Sequence, residues 1–292
     1  MTQTVVVAGA TGYLGRHLVV ELAGRGYRVR AVVRSRSRAE QPGPHGAPGL
    51  AGHVAEWVQA EVTEPRAIAG ACVGAQRVVS AIGVTRQKAS PWDVDFLANL
   101  HLLEDAERQG AQSFLYVNVM HADRGRSLLL RSKTAFATAL ERSPLAHQTV
   151  NPSGYFSDAA GFLGMARSGV VFLPPDPDIR LAPIHGADLA AFCVDRIGDR
   201  NGSWDVVGPD PLSYRQIAQV AFDALGKSPR TVVVPAAALR AMVWFAGRLG
   251  QRPADLAQFF ADGLTLDADG EPYGTRHLAD YFRALATHQE FR

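Results

Sequence analysis

The first 38 residues constrain this chain more than any other stretch. Val5, Val6, Val7 and Ala8 form an apolar run of buried-strand length, and Gly9-Ala10-Thr11-Gly12-Tyr13-Leu14-Gly15 follows at once. Leu14, Leu18, Val19 and Leu22 then share one helical face, closed by Gly24 and Gly26, before a second apolar run from Val29 to Val33. Strand, glycine turn, helix and strand predict a βαβ unit, the building block of a parallel sheet.

A turn of this kind leaves unpaired N–H donors at the positive end of a helix dipole, where an anion is favoured. Gly9 permits the tight turn, Gly12 the approach of a phosphate and Gly15 the close packing of helix on strand. Thr11, Tyr13 and Leu14 complete the stretch, which predicts a dinucleotide with its pyrophosphate on the turn. Roughly 20 residues past such glycines an NAD site offers Asp or Glu to the ribose hydroxyls. Here Val33 is followed by Arg34, with Arg36 and Arg38 close behind. Guanidinium groups bind a 2'-phosphate that a carboxylate would repel, so NADP(H) is expected over NAD(H), with Arg34 as the contact.

Composition sets outer limits. With 292 residues, 47% hydrophobic and 20% charged, there is ample material for one large or two modest domains. A net charge of +2 and a pI near 8.6 give no pull towards nucleic acid. No secretory signal pattern and no uncharged apolar run of the roughly 18 residues that a membrane span needs can be read from it. Cys72 and Cys193 lack CxxC spacing and the nine histidines lack HExxH spacing, so neither a disulfide framework nor a metal site is expected. A reducing cytoplasmic setting fits these features.

The Gly9, Gly12, Gly15 spacing resembles the first turn, commonly GATGxLG, of the short-chain dehydrogenase/reductase superfamily in its extended and atypical, NmrA-like branches. That resemblance implies an α/β, Rossmann-type doubly wound, mainly parallel sheet. Residues 1–152 would bind NADP(H), and residues 153–292 would form a small substrate lobe interleaved with the sheet.

Residues 35–52, rich in Arg, Pro and Gly, read as a mobile loop. A third strand is predicted from His53 to Val58, a short helix from Glu64 to Cys72 and a strong strand from Arg77 to Gly83. By resemblance, Glu61 and Val62 lie near the adenine, and Ala81, Ile82 and Gly83 form the small-residue edge beside the cofactor. Trp92 to Gln109 is a predicted amphipathic helix with Phe96, Leu100 and Leu103 on one face. Family members often use this helix as a dimer face, so a monomer or homodimer is expected, with Asn99 as a packing residue.

Ser113 to Val119 reads as a further strand and Leu128 to Arg142 as the next helix. Typical members carry a Ser at the end of this strand and Tyr-x-x-x-Lys in the helix. This chain has Asn118 at the first position and keeps Lys133, but Leu129 stands where the Tyr belongs. Lys133 is then expected on the nicotinamide ribose, and Asn151-Pro152-Ser153 on a turn along the nicotinamide. Met120, His121, Tyr155 and Phe156 are expected on the substrate side. Lys133, Asn118 and Tyr155 are the catalytic candidates, and the proton donor stays open among Tyr155, His121, Ser132 and water.

Two later elements follow. His185 reads as a buried, hydrogen-bonded histidine, and Ser213 with Gln216 as a capping box. The apolar stretch from Pro235 to Leu249, with only Arg240 and Arg248, suggests a lid or core helix ahead of a partner or membrane contact. The implied function is an NADPH-dependent reductase moving hydride to a small apolar acceptor such as an enone, quinone, vinyl group or ketone. The alternatives are a non-catalytic NADP(H) sensor of the nitrogen-metabolite-repressor type and a redox-neutral epimerase or lyase.

Overall fold

The computed structural model describes residues 2–84, 89–263 and 269–287. The chain opens with β1 (Thr4–Ala8), α1 (Tyr13–Gly24), β2 (Arg28–Val33), α2 (Arg36–Glu40), β3 (Glu56–Gln59), α3 (Pro65–Ile68) and β4 (Arg77–Ser80). A π-helical segment (Trp92–Leu97) runs directly into α4 (Ala98–Arg108), then β5 (Ser113–Val117), α5 (Leu128–Glu141) and β6 (Ala146–Pro152). Next come α6 (Phe156–Ser168), β7 (Val171–Leu173), β8 (Arg180–Leu181), α7 (Gly186–Arg196), β9 (Gly202–Val207), β10 (Leu212–Ser213) and α8 (Tyr214–Ala224). The last elements are β11 (Thr231–Val233), α9 (Ala236–Leu249), α10 (Gln251–Gly263), β12 (Glu271–Pro272) and α11 (Leu278–Thr287).

Eight strands form one fully parallel sheet in the order β12-β9-β6-β5-β4-β1-β2-β3. The order reverses between β1 and β4, the switch point at which open α/β sheets bind ligands. Val5, Val6, Val7 and Ala8 are all fully buried because helices cover both faces, which is why this strand is a continuous apolar run. On one face α1 and α7 pack together, with Leu18, Val19 and Leu22 of α1 wholly out of water. Each such side chain contributes about 1.5–3 kcal/mol of burial. On the other face Phe114, Tyr116 and Phe136 centre a second core beneath α4 and α5.

The lobe has its own core, built on Phe156, Phe222 and Phe282 from α6, α8 and α11. Its two small sheets are the antiparallel pair β8–β10 and the parallel pair β7–β11. Beyond residue 152 the chain nevertheless returns β9 and β12 to the main sheet and α7 to its face, so lobe and sheet are interleaved.

Several predicted boundaries shift for local reasons. His53 closes a turn onto Leu50 O, and β3 therefore starts at Glu56 instead of His53. α3 stops at Ile68, well short of Cys72, with left-handed Gly70 just beyond it. β4 ends at Ser80, although Ala81 still donates its N–H to Ala8 O. The buried face of α4 carries Asn99, Leu102, Leu103 and Ala106, with Leu100 only half-buried. Residues 35–52 form α2 and a 3-10 turn at Pro44–Gly46, with Ala39, Ala47 and Leu50 buried, so the predicted mobile loop is a packed segment. α9 buries none of its residues, which removes the expected core role.

Candidate functional site

The glycine turn ends β1 and opens α1. Gly9 has φ +75°, and a Cβ there would lie 2.5 Å from Ala81 O, so the turn closes against the end of β4. A Cβ on Gly15 would fall 2.1 Å from Gly9 O, which only a glycine avoids. Gly12 differs, because a Cβ would meet nothing nearer than Gly9 O at 3.3 Å. The protein itself barely requires a glycine there, whereas a group approaching the turn from outside does. No side chain caps the N-terminus of α1. Leu14 is buried in the core and Tyr13 accepts a hydrogen bond from the Gly186 N–H at 3.1 Å, so these two face the turn with backbone only.

Arg34 is exposed just past β2 and lies 3.8 Å from the Glu61 carboxylate, with half-buried Val62 beside it. The segment after it is held by a residue that the sequence reading passed over. Arg16, 5% exposed, donates to Thr11 O at 3.1 Å, Arg38 O at 3.1 Å, Ala39 O at 3.1 Å, Gln41 O at 2.6 Å and Pro48 O at 2.9 Å. One guanidinium thus joins the glycine turn to the basic segment. The available signal was an arginine directly after Gly15, at the start of a helix whose apolar face faces the sheet.

Lys133 is buried, 3.1 Å from Asp95 Oδ1 and 3.5 Å from the Tyr116 hydroxyl. Burial alone pulls the ammonium down, but Tyr116 and Asp95 outweigh it and hold Lys133 above the usual lysine range. Burial also raises Asp95, yet Lys133 and the Val84 N–H at 3.1 Å favour its charged form, and we take the pair as ionised. Asp95 lies in the π-helical segment, a distortion frequent at functional sites. Asn99 donates to Asp95 O at 2.9 Å and accepts from Ser80 Oγ at 2.5 Å, which ties the segment to the end of β4. Half-buried Ala81, buried Ile82 and half-buried Gly83 follow, and a Cβ on Gly83 would lie 3.5 Å from Lys133 Nζ. Asp95 and Tyr116 were also missed. Their signal was slight, an acid at a core-facing helical position and a tyrosine inside a buried strand.

Asn118 leaves β5 with its amide donating to Asn151 Oδ1 at 3.0 Å, while its own Oδ1 is buried without a partner. Asn151 passes the chain to Asp205 at 2.9 Å. Pro152 O accepts from Met120 N and Ser153 Oγ donates to Ala182 O, which fixes this turn against the lobe. Tyr155 is half-buried, with its ring 6.0 Å from that of Tyr13, and burial raises its phenol against the opposing pull of Lys133. Ser132 donates back to Leu128 O at 2.7 Å and is committed to its helix.

The other residues expected on the substrate side occupy three different surroundings. Phe156 is fully buried in the lobe core, against His185 and Tyr281, so it is turned away from the crevice. Met120 packs on Ala182 and Val207. His121 is half-buried in a left-handed conformation (φ 56°) at the start of a 3-10 turn. His185 caps α7 through Nδ1, which accepts from Ala187 N at 3.1 Å, and Ser213 and Gln216 form the predicted capping box.

The glycine turn, Ala81–Gly83, Lys133, Asn118 and Asn151 thus lie at the carboxyl ends of β1, β4, β5 and β6. The residues fit a dinucleotide: open backbone at Gly12, an uncapped helix N-terminus and an unpartnered buried acceptor on Asn118. Among the described residues no group of His, Cys, Asp and Glu could hold a metal ion, and no helix is long and apolar enough to cross a membrane.

The maize chloroplastic divinyl chlorophyllide a 8-vinyl-reductase is 31% identical over 82% of this chain, and the matched part spans 64% of that protein. The structure of an NADPH-dependent quinone oxidoreductase from Escherichia coli, complexed with NADPH, superposes with a TM-score of 0.71 at 19% identity, covering 96% of this chain and 99% of the other. A Citrobacter triphenylmethane reductase gives a TM-score of 0.71 at 16% identity, over 98% of this chain and 100% of the other. These two structures share the fold. The model of a family described as NAD(P)H-binding matches residues 9–200, and the chain belongs to that family, within the atypical short-chain dehydrogenase/reductases.

Proposed function

We propose that the protein is an NADPH-dependent reductase that delivers hydride to a small apolar acceptor such as a quinone, conjugated enone, vinyl group or ketone. The observation that carries this reading is Lys133, a buried cation held by Asp95 beside Gly83 at the switch point. An ion pair with no ligand to serve is poor economy for stability, because desolvation offsets much of its attraction. The cofactor, when bound, supplies the hydride. Gly9 to Gly15 offer the backbone donors, Arg34 receives the 2'-phosphate, Glu61 and Val62 border the adenine, and Lys133 and Asn118 orient the nicotinamide end. Tyr155, half-buried beside Tyr13, is the first proton donor to test, its phenol raised by burial against the opposing pull of Lys133. The chain acts in the cytoplasm as a monomer or homodimer.

The likeness to the maize vinyl-reductase and the Escherichia coli quinone oxidoreductase supports reduction of a vinyl group or a quinone as the first chemistry to test. Purified protein is mixed with NADPH and a panel of quinones, enones, vinyl compounds and ketones, and loss of NADPH absorbance is followed. Turnover on at least one class, abolished in Lys133→Ala, is the expected result. Leu129 in place of the helix tyrosine favours a second reading, a sensor that binds NADPH without turnover. Tight binding with no acceptor consumed would establish that alternative.

A further inference from the structure

Seven of the nine large hydrophobic side chains exposed among the described residues are concentrated in β7, β11 and α9. They are Phe172, Val232, Val233, Met242, Trp244, Phe245 and Leu249, and Leu249 is 67% exposed. α9 explains why so much apolar surface stays outside. Half-buried Leu239, Val243 and Ala246 form one stripe, and α9 packs on α10. Ala238, Ala241, Met242, Phe245 and Leu249, spaced i, i+3, i+4, i+7, i+11, form a second stripe, and all are exposed. One helix therefore has two apolar faces, of which the protein covers one.

The charge along this stretch of the chain is one-sided. From Ala224 to Ala254 the sequence holds Lys227, Arg230, Arg240, Arg248 and Arg252 and no Asp or Glu. The chain as a whole carries +2, so this stretch of +5 leaves −3 for the remainder. Arg248 lies over the Trp244 ring at 3.8 Å, which places a cation and an amphipathic indole at the border of the exposed stripe. Exposed Trp, Phe, Met and Leu beside basic groups without acids match what an interfacial helix presents to lipid. A second copy of this chain would bring Arg240 and Arg248 of α9 against the same cations of its partner.

We propose that α9 is a docking surface for an anionic lipid bilayer, on which the protein rests peripherally with Phe245 and Trp244 in the headgroup region. This inference stands independently of the reductase reading. The test is sedimentation of the full chain with vesicles of phosphatidylcholine alone or with added phosphatidylglycerol. Binding to the anionic vesicles, weakened by salt and accompanied by a blue shift of Trp emission, is expected. Met242→Gln/Phe245→Gln should weaken it at least about tenfold, and Arg240→Gln/Arg248→Gln roughly tenfold. Unaltered NADPH affinity in both variants shows that each is folded. Failure of the parent protein to bind anionic vesicles, or equal binding by the Met242/Phe245 variant, overturns the proposal. A dimer abolished by the same substitutions, with no vesicle binding, overturns it in favour of a second copy.

Discussion

Gly15 and Gly12 shape the site in two different ways. Gly15→Ala forces a methyl into the Gly9 carbonyl, so helix and turn must separate; a loss of about 1–3 kcal/mol is expected in urea unfolding. Gly12→Ala meets no such obstacle and should leave stability within about 1 kcal/mol of the parent, the helix start being tolerant, while NADPH affinity falls. Titrating NADPH into both variants separates the roles. Asp95 and Lys133 behave as a unit. Lys133→Met leaves a buried carboxylate unpaired and should cost about 3–5 kcal/mol. Asp95→Asn combined with Lys133→Met should recover most of that loss in the same unfolding assay, although activity stays absent. The glycines and Lys133 were legible because their neighbours in sequence define them. Asp95 and Tyr116 were not, because they reach Lys133 across 38 and 17 residues of chain.

Among the elements, α5 depends on a distant partner. Ser127 Oγ caps its Leu130 N–H, while Asp262 of α10 accepts from the backbone of Arg126 and Ser127, and Asp255 accepts from Leu128. Carboxylates at a helix N-terminus satisfy its free donors and its dipole together. Asp262→Ala is therefore expected to lower stability by about 1 kcal/mol. Faster hydrogen exchange at amides 126–128 would report it, and unchanged exchange there would exclude the contact as a cap. The βαβ unit and the order of strands and helices were legible from apolar runs and glycine punctuation. Strand and helix ends were less so, since the ladder and the packing settle them: β3 begins only where it meets β2, and the segment after Arg34 owes its shape to Arg16.

In the whole molecule, sheet and lobe meet at a largely half-buried aromatic and histidine cluster. His17 of α1 and His185 stand with ring centres 5.4 Å apart, beside Tyr13 and Tyr281, and Tyr281 donates to His45 O at 3.2 Å. Burial, aided by Arg276 and opposed by Asp188, lowers His185 to about 4; His17 is lowered to about 4 by burial, then by His185 and Arg276. Both are neutral when folded, while in the unfolded chain they take up a proton near pH 6.5. Their stabilisation is complete above about pH 6.5 and is lost as the pH falls towards about 4, a few kcal/mol together. Urea unfolding at about pH 7 and about pH 4.5 should show that slope, reduced in His17→Gln. NADPH at about 100 times its Kd should add about 2.7 kcal/mol, and NADH at equal concentration less. By itself the sequence determined the parallel α/β layering and the phosphate turn, because short-range periodicity and glycine geometry act within a few residues. Only the tertiary structure decided which groups meet Lys133, that Phe156 turns inward and that one face of α9 stays uncovered. Burial and ion pairing at those places are set by segments far apart in the chain.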